Sequence, residues 1–388
     1  MKPVKVGVVG CGNICDIYFT NIAKFENLEA YACADLMMER AKEKAEQYGC
    51  KAMSVEQIVK DPEVEVILNL TIPAAHHEVS MAALNAGKHV YNEKPLAITM
   101  EDGQEILDLA KKKGLKVGCA PDTFLGARMQ TMRKMIDDGW IGKPVAATAF
   151  MTCHGHENWH PNPVFHYKTG AGPLFDMGPY YVTGLLALLG PAKRLCGITS
   201  KSFEKRLITS EPLAGQYIDV EVPTHVSGSI EFQNGAVATL VTSFDIWDSN
   251  LPRLEIYGTE GTISMTDPDP LAGPDIFHGV TKFRRKDEAD WYDLPYDLPR
   301  KEEATPWATI PSCYDYNENS RALGLADMAR AIRNGGKFRA NGEMASHALE
   351  IMLGLYESSE KGTYYNLKST CELPETMPMN LRKYSMEE

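Results

Sequence analysis

Short apolar runs alternating with helix-spaced segments govern the first third of this chain. Apolar runs at residues 6–9, 28–34, 64–70, 88–91 and 116–120 read as strands. Helical spacing fills 14–23, 39–48, 76–86 and 100–113, and Gly49 and Gly87 stand where the second and third of these stop. Nearly continuous apolar strands separated by helices need cover on both faces. They therefore predict a doubly wound parallel sheet, an α/β unit over residues 1–122.

Beyond about Asp122 the pattern changes. One helix is expected over 127–138, and strand-like runs follow at 145–152, 224–232, 237–244 and 254–258. Asn234-Gly235 between two of them predicts a hairpin. Residues 123–388 thus read as an α/β domain on a large, mainly antiparallel open sheet, for substrate binding and oligomerisation. A loop and an apolar helix interrupt it over 170–190, and 266–320 reads as long loops. Helices are expected at 322–333 and 345–359, the latter packing back near the first domain.

The strand-to-helix turn Val8-Val9-Gly10-Cys11-Gly12-Asn13-Ile14-Cys15 carries the first chemistry. Gly10 permits a tight turn, Gly12 lets backbone approach a pyrophosphate, and the helix start at Asn13 and Ile14 offers N–H groups to it. Cys15 stands where a third glycine is usual. Asp35 ends the next strand 23 residues after Gly12, placed to accept bonds from a ribose, which favours NAD over NADP. The bland alternative is a tight loop with Asp35 capping the next helix.

Glu93-Lys94-Pro95 follows another strand, about eighty residues after that turn. Proline biases Lys94 to extended backbone and aims it out of the strand end. An ammonium there can stabilise a developing alkoxide. Thr71-Ile72-Pro73 also follows a strand end on the binding edge.

In Gly170-Ala171-Gly172-Pro173-Leu174-Phe175-Asp176-Met177-Gly178-Pro179-Tyr180-Tyr181, a helix would set Asp176 and Tyr180 on one face. Such a pair could bind vicinal hydroxyls and move one proton. Upstream lie His154, His156, His160 and His166, with Trp159 among them. This segment is expected to line the substrate cleft. It reads as a carbohydrate site, as a metal site of His154, His156 and Glu157, or as a plain polar loop. No firm third ligand is evident, so no metal is expected. Asp122 and the loop after it are further substrate-binding candidates.

The net charge of −12 and the lack of a basic stripe exclude nucleic acid as the main partner. Nine scattered cysteines without a CxxC pair suit a reducing compartment. No signal-peptide layout and no membrane-length apolar run occur, so a cytoplasmic protein is expected.

Three stretches, GVVGCGNI, NLTIPAAHHEVSMAALNAGKHVYNEKPLAIT and GAGPLFDMGPYY, resemble the glucose–fructose oxidoreductase / inositol dehydrogenase / rhizopine-catabolism (Gfo/Idh/MocA) family over nearly the whole chain. The resemblance implies a Rossmann first domain, Lys94 as catalytic lysine and Asp176 as substrate-binding acid. It places Thr71, Pro73, His76 and Glu93 beside the nicotinamide, and a homodimer or homotetramer on the second domain. Many members carry histidine four residues after the acid as proton acceptor. Here that residue is Tyr180, with His160 or His166 as alternatives. The expected activity is NAD-dependent oxidation of a ring hydroxyl in a sugar, glycoside or cyclitol. Its rivals are oxidation–elimination of glycosides with a retained NAD, and a non-catalytic NAD sensor.

Overall fold

The structure is a computed structural model that describes residues 2–266, 276, 279–286 and 307–386. It divides into two compact units, each discontinuous in sequence. The first is Met1–Leu125, Asn319–Leu353 and Lys368–Glu388; the second is Gly126–Glu318 and Gly354–Leu367. The single boundary drawn at residue 122 becomes two interleaved units because the chain's last helices divide between them.

The first unit begins β1 (Val4–Val9), α1 (Cys15–Ile22), β2 (Leu28–Ala34), α2 (Met38–Tyr48), β3 (Lys51–Met53), α3 (Val55–Lys60) and β4 (Val66–Asn69). It continues with α4 (His76–Asn85), β5 (His89–Asn92), α5 (Met100–Lys113) and β6 (Val117–Cys119). The strands pair in the order β3-β2-β1-β4-β5-β6. Every pairing is parallel. Val6, Val8, Ile67, Leu68 and Val90 are wholly enclosed, as strands covered on both faces must be.

The sequence reading passed over β3 and α3. β3 is a three-residue edge strand with exposed Lys51, too short for an apolar run. α3 carried a legible signal, the capping box Ser54-Val55-Glu56-Gln57. Ser54 Oγ accepts from the Gln57 N–H, and the Gln57 side chain accepts from the Ser54 N–H.

The second unit holds α6 (Ala127–Asp137), β7 (Pro144–Thr152), α7 (Gly172–Asp176), α8 (Gly178–Leu189), β8 (Ala192–Ser200), β9 (Lys205–Leu207), β10 (Tyr217–Asp219) and β11 (His225–Phe232). After these come β12 (Val237–Ser243), β13 (Leu254–Gly258), β14 (Gly261–Thr266), β15 (Val280–Arg285) and β16 (Ala308–Ile310). With β17 (Tyr365–Asn366), the described residues form a nine-stranded sheet in the order β16-β15-β14-β13-β7-β12-β11-β8-β17. β7 and β12 run parallel; the other pairs are antiparallel. The β11–β12 hairpin turns at Asn234-Gly235, with Gly235 at φ +90°.

Where 266–320 was expected to be loops, its described part holds β15 and β16. The rest of that stretch lies outside the described residues. β8 was also missed, because its run AKRLCGITS mixes charge into the alternation and leaves much of the strand exposed. Every residue of α8 is buried, which explains why it is apolar all round.

α9 (Leu323–Asn334) and the start of α10 (Gly342–Lys361) belong to the first unit. Asp327, fully buried in α9, accepts from Arg339 Nη1 at 2.8 Å, from the Arg339 backbone N–H at 2.8 Å, and from Arg330 Nη2 at 3.1 Å. Among the described residues no helix is long and apolar enough to cross a membrane.

Deleting the Asp327 carboxylate would leave Arg339 buried without its counter-charge. Asp327→Ala is expected to lose about 3–5 kcal/mol of stability, read as a lower denaturant midpoint. An unchanged midpoint would contradict this role.

Candidate active site

Parallel pairing puts the carboxyl ends of β1, β4 and β5 along one edge of the first unit. β4 lies between β1 and β5, so the loops after β1 and β5 are only ~10 Å apart across the sheet. At the first of these loops Gly10 has φ +104°, and a Cβ there would sit 2.6 Å from the Leu70 carbonyl oxygen. Over Gly12 a Cβ would meet nothing within 4 Å. Asn13 is exposed and Ile14 half-buried. Ile14 gives α1 no side-chain cap. Uncapped N–H groups beside open space suit a pyrophosphate. Cys15 packs in the buried face of α1, and burial pushes its thiol up to about 12. It therefore sits in that packed face as a neutral thiol.

Asp35 is locked to this turn. Its Oδ2 accepts from the Cys11 N–H and its Oδ1 from the Met37 N–H, each at 2.8 Å. Both oxygens keep further lone pairs for ribose hydroxyls.

The loops after β4 and β5 are tied by side chains. Asn69 Nδ2 donates to Asn92 Oδ1 at 3.0 Å, and Thr71 Oγ1 donates to Asn69 Oδ1 at 2.6 Å. Pro73 opens a short 3-10 turn before α4. His76 is wholly buried, with Nδ1 2.6 Å from the Pro95 oxygen and Nε2 3.0 Å from the Thr71 oxygen. Burial pulls its pKa down, so one nitrogen carries the proton and donates. The ring is a brace between the two loops, with no surface left for direct contact. Glu93 accepts from Tyr18 Oη at 2.8 Å and from the Lys94 N–H at 2.9 Å, so it fixes the backbone that presents the half-buried Lys94. The Lys94–Pro95 peptide is cis.

Asp122 is fully enclosed, and its Oδ2 accepts from the Gly324 N–H at 2.9 Å. It serves the first turn of α9. Burial raises its carboxyl to about 6, against the pull of that N–H and of Arg321.

In the second unit the histidine segment folds onto the Asp176 carboxylate. His156 Nε2 and His166 Nδ1 each lie 3.3 Å from Asp176 Oδ2. The two imidazoles stack at 3.8 Å with planes 11° apart. Both are more than nine-tenths buried, and burial lowers the pKa of His166 while Asp176 acts to raise it. Trp159, 62% exposed, tilts against His156 at 5.2 Å. His154 points elsewhere, stacked on exposed Trp247 at 3.3 Å. His160 meets His166 edge-on at 5.1 Å and accepts the Asn162 N–H at Nδ1.

Glu157 does not join the imidazoles as a ligand. It accepts from Tyr167 Oη at 2.5 Å and from the His156 N–H at 2.7 Å, and it pairs with Arg206. Arg206 also binds Asp245 at 2.9 Å. Tyr167, Arg206 and Asp245 were not foreseen, since they come from distant segments without a local motif.

The expected single helix carrying Asp176 and Tyr180 is two helices. α7 ends at Asp176, Met177 stands between, and α8 starts at Gly178 with Pro179 in its first turn. Pro179 has no N–H to continue a helix entering from α7. Tyr180 is buried in the first turn of α8.

Two family models match the chain. Residues 4–120 match the oxidoreductase family, NAD-binding Rossmann fold, and residues 129–264 match the GFO/IDH/MocA C-terminal domain. The chain belongs to the GFO/IDH/MocA oxidoreductases. The 1,5-anhydro-D-fructose reductase of Ensifer adhaerens is 27% identical, over 66% of this chain and 74% of that protein. The D-glucoside 3-dehydrogenase of Escherichia coli is 29% identical, over 63% and 71%. Levoglucosan dehydrogenase, solved with NADH and L-sorbose, superposes with TM-score 0.77 at 22% identity, over 95% of this chain and all of that one. This GFO/IDH/MocA member is thus an NAD-binding oxidoreductase.

Asp122 supplies a pH test. Its raised pKa means that the folded state holds the proton more tightly than the unfolded chain. Its burial therefore costs stability as pH rises from about 4 to 6, by about 3 kcal/mol once complete. Asp122→Asn keeps an acceptor for Gly324 without the charge. The Tm of the variant relative to wild type is expected to be higher at pH 7 than at pH 4. A pH-independent difference would contradict the buried charge.

Proposed function

We propose that this oxidoreductase oxidises a ring hydroxyl of a sugar, glycoside or cyclitol to a ketone with NAD. The observation that carries this reading is Lys94, its backbone gripped by Glu93, on the same strand edge as the open glycine turn. The names of the relatives, a glucoside dehydrogenase and an anhydrofructose reductase, support the substrate class.

Gly10, Gly12, Asn13 and Ile14 would hold the pyrophosphate, and Asp35 the adenosine ribose. Thr71, Pro73 and Glu93 would border the nicotinamide, with His76 keeping their loops in place. When bound, NAD supplies the hydride acceptor. The substrate carbinol loses its C–H as hydride and its O–H as a proton, and a C=O forms. Lys94 stabilises the alkoxide character that builds on the oxygen. Tyr180 takes the proton, and Asp176 orients a neighbouring hydroxyl. Trp159, half-exposed beside His156, offers an apolar face to a sugar ring.

Asp35 underlies a preference for NAD. A carboxylate there repels a 2′-phosphate, and residues 36–38 are Leu, Met and Met.

A homo-oligomer built on the second unit's sheet is part of this reading. Ile198, Ser227, Val241 and Phe150 fall in register across four strands, and Ile198 is 75% exposed. Such a row is open to a second copy.

Formation of reduced cofactor, followed by absorbance with a panel of sugars, glycosides and inositols, tests the activity. Turnover is expected with NAD above NADP, and Lys94→Met should lower kcat by about 100-fold or more while NAD still binds. Full activity in Lys94→Met would refute the assignment. Asp35→Ala is expected to weaken NAD and narrow the gap to NADP; an unchanged cofactor ratio would count against Asp35.

A further inference from the structure

We infer that His156, His166 and Asp176 form a binding site for a divalent cation of the zinc type. The inference rests on the dehydrogenase reading only for the use it gives the ion, not for the site itself.

Three observations carry it. One candidate ligand atom from each residue lies within 4.8 Å of the other two, and Asp176 Oδ2 stands 3.3 Å from a nitrogen of each ring. Zinc bonds of ~2.0–2.2 Å at tetrahedral angles separate neighbouring ligand atoms by ~3.3 Å. Two of the three edges therefore already have the length an ion imposes. The third closes when the stacked imidazoles fan apart enough to aim both lone pairs at one point.

The second observation is burial without partners. His166 is 6% exposed and His156 7%. Nδ1 of His156 and Nε2 of His166 have no hydrogen-bond partner in the protein. Buried polar atoms are nearly always satisfied, so the protein alone leaves these rings incompletely satisfied. A cation would take the nitrogen of each ring that faces Asp176, Nε2 of His156 and Nδ1 of His166.

The third is the surrounding frame. The His156 N–H is held by Glu157, which also takes Tyr167 Oη and Arg206, and Arg206 is held again by Asp245. Carboxylate, phenol and guanidinium thus fix the backbone that presents His156, as supporting groups do around metal ligands. Among these charges Arg206 is matched by Glu157 and Asp245, and the Asp176 carboxylate faces the imidazoles. Two nitrogens and one oxygen select zinc, cobalt, nickel or ferrous iron over magnesium and calcium, which take oxygen shells.

Three protein ligands leave a coordination position open. On the dehydrogenase reading a substrate hydroxyl takes it, and Asp176 then orients that hydroxyl through the ion instead of directly. Trp159 and the half-exposed Phe165 flank the imidazoles with apolar faces.

The test starts with protein stripped by a chelator and dialysed metal-free. Cobalt(II) is titrated in and its visible ligand-field bands followed; zinc is titrated by calorimetry. One ion per chain with tetrahedral-type bands is expected. His166→Ala and the near-isosteric Asp176→Asn should each weaken binding by about 100-fold or more, with circular dichroism reporting their fold. No bands and no zinc heat in the wild type would overturn the site, whatever the variants do. So would unchanged binding in a folded His166→Ala. Turnover of metal-free and zinc-restored enzyme separates the two readings. Equal rates overturn the ion's role with substrate and leave the dehydrogenase standing. Stoichiometric binding with no polyol oxidised supports the site and removes the dehydrogenase.

Discussion

Parallel pairing of β1, β4 and β5 is the constraint on which the first unit's chemistry depends. Parallel strands send all their carboxyl ends to one edge, so loops far apart in sequence meet there. A loop edge alone is soft. Here it is stiffened by side chains that tie the loops to one another. Asp35 grips the glycine turn, Asn69 and Asn92 join two strand ends, and His76 packs between the carbonyls of Thr71 and Pro95 and donates to one of them. Glu93 completes the set by holding Tyr18 and the Lys94 N–H together. Each is a charge-assisted or buried bond, the kind whose loss leaves a neighbour unsatisfied. Lys94 is therefore presented by a braced backbone.

The second unit reaches the same end with different means. Its sheet supplies a frame, but the site residues sit on the stretch after β7 and on the short helix α7. What orders that stretch is charge. Glu157, Arg206 and Asp245 form a buried acid–base–acid chain spanning three segments. A buried chain of this kind is poor evidence of stability, since desolvation consumes much of the attraction. Its worth is positional: it leaves the His156 backbone one place to be. The imidazoles stack on each other beside the Asp176 carboxylate.

How much of this was legible follows from where the information sits. The places of Gly10, Gly12, Asp35 and Lys94 in the fold are marked locally: a glycine turn after a strand, an acid at a strand end, a lysine before proline. The hairpin at Asn234-Gly235 is legible for the same reason. His76 and Asp122 were marked as contacts from their positions in sequence, yet burial makes one a brace and the other an acceptor for α9. Burial is a property of the packed chain and does not show in a motif. The capping box at Ser54 was local and was simply overlooked. β8 was hidden by charge in its alternation, and the convergence of His156, His166 and Asp176 depends on a loop path that no period encodes.

The most instructive departure is at the helix that would span Asp176 and Tyr180. Spacing of four residues says one face of one helix, but Gly178-Pro179 divides the segment after Asp176. The break matters chemically. With α7 closed at Asp176, its carboxylate stands at the junction of two helices, one residue before the cap of α8. Two imidazoles arriving from the loop after β7 face that carboxylate, each with a nitrogen 3.3 Å from Oδ2. The phenol at position 180, where many family members place an imidazole, then sits in the first turn of α8. The histidines beside the Asp176 carboxylate thus come from a different segment, the stretch after β7, while position 180 holds a phenol at the start of α8.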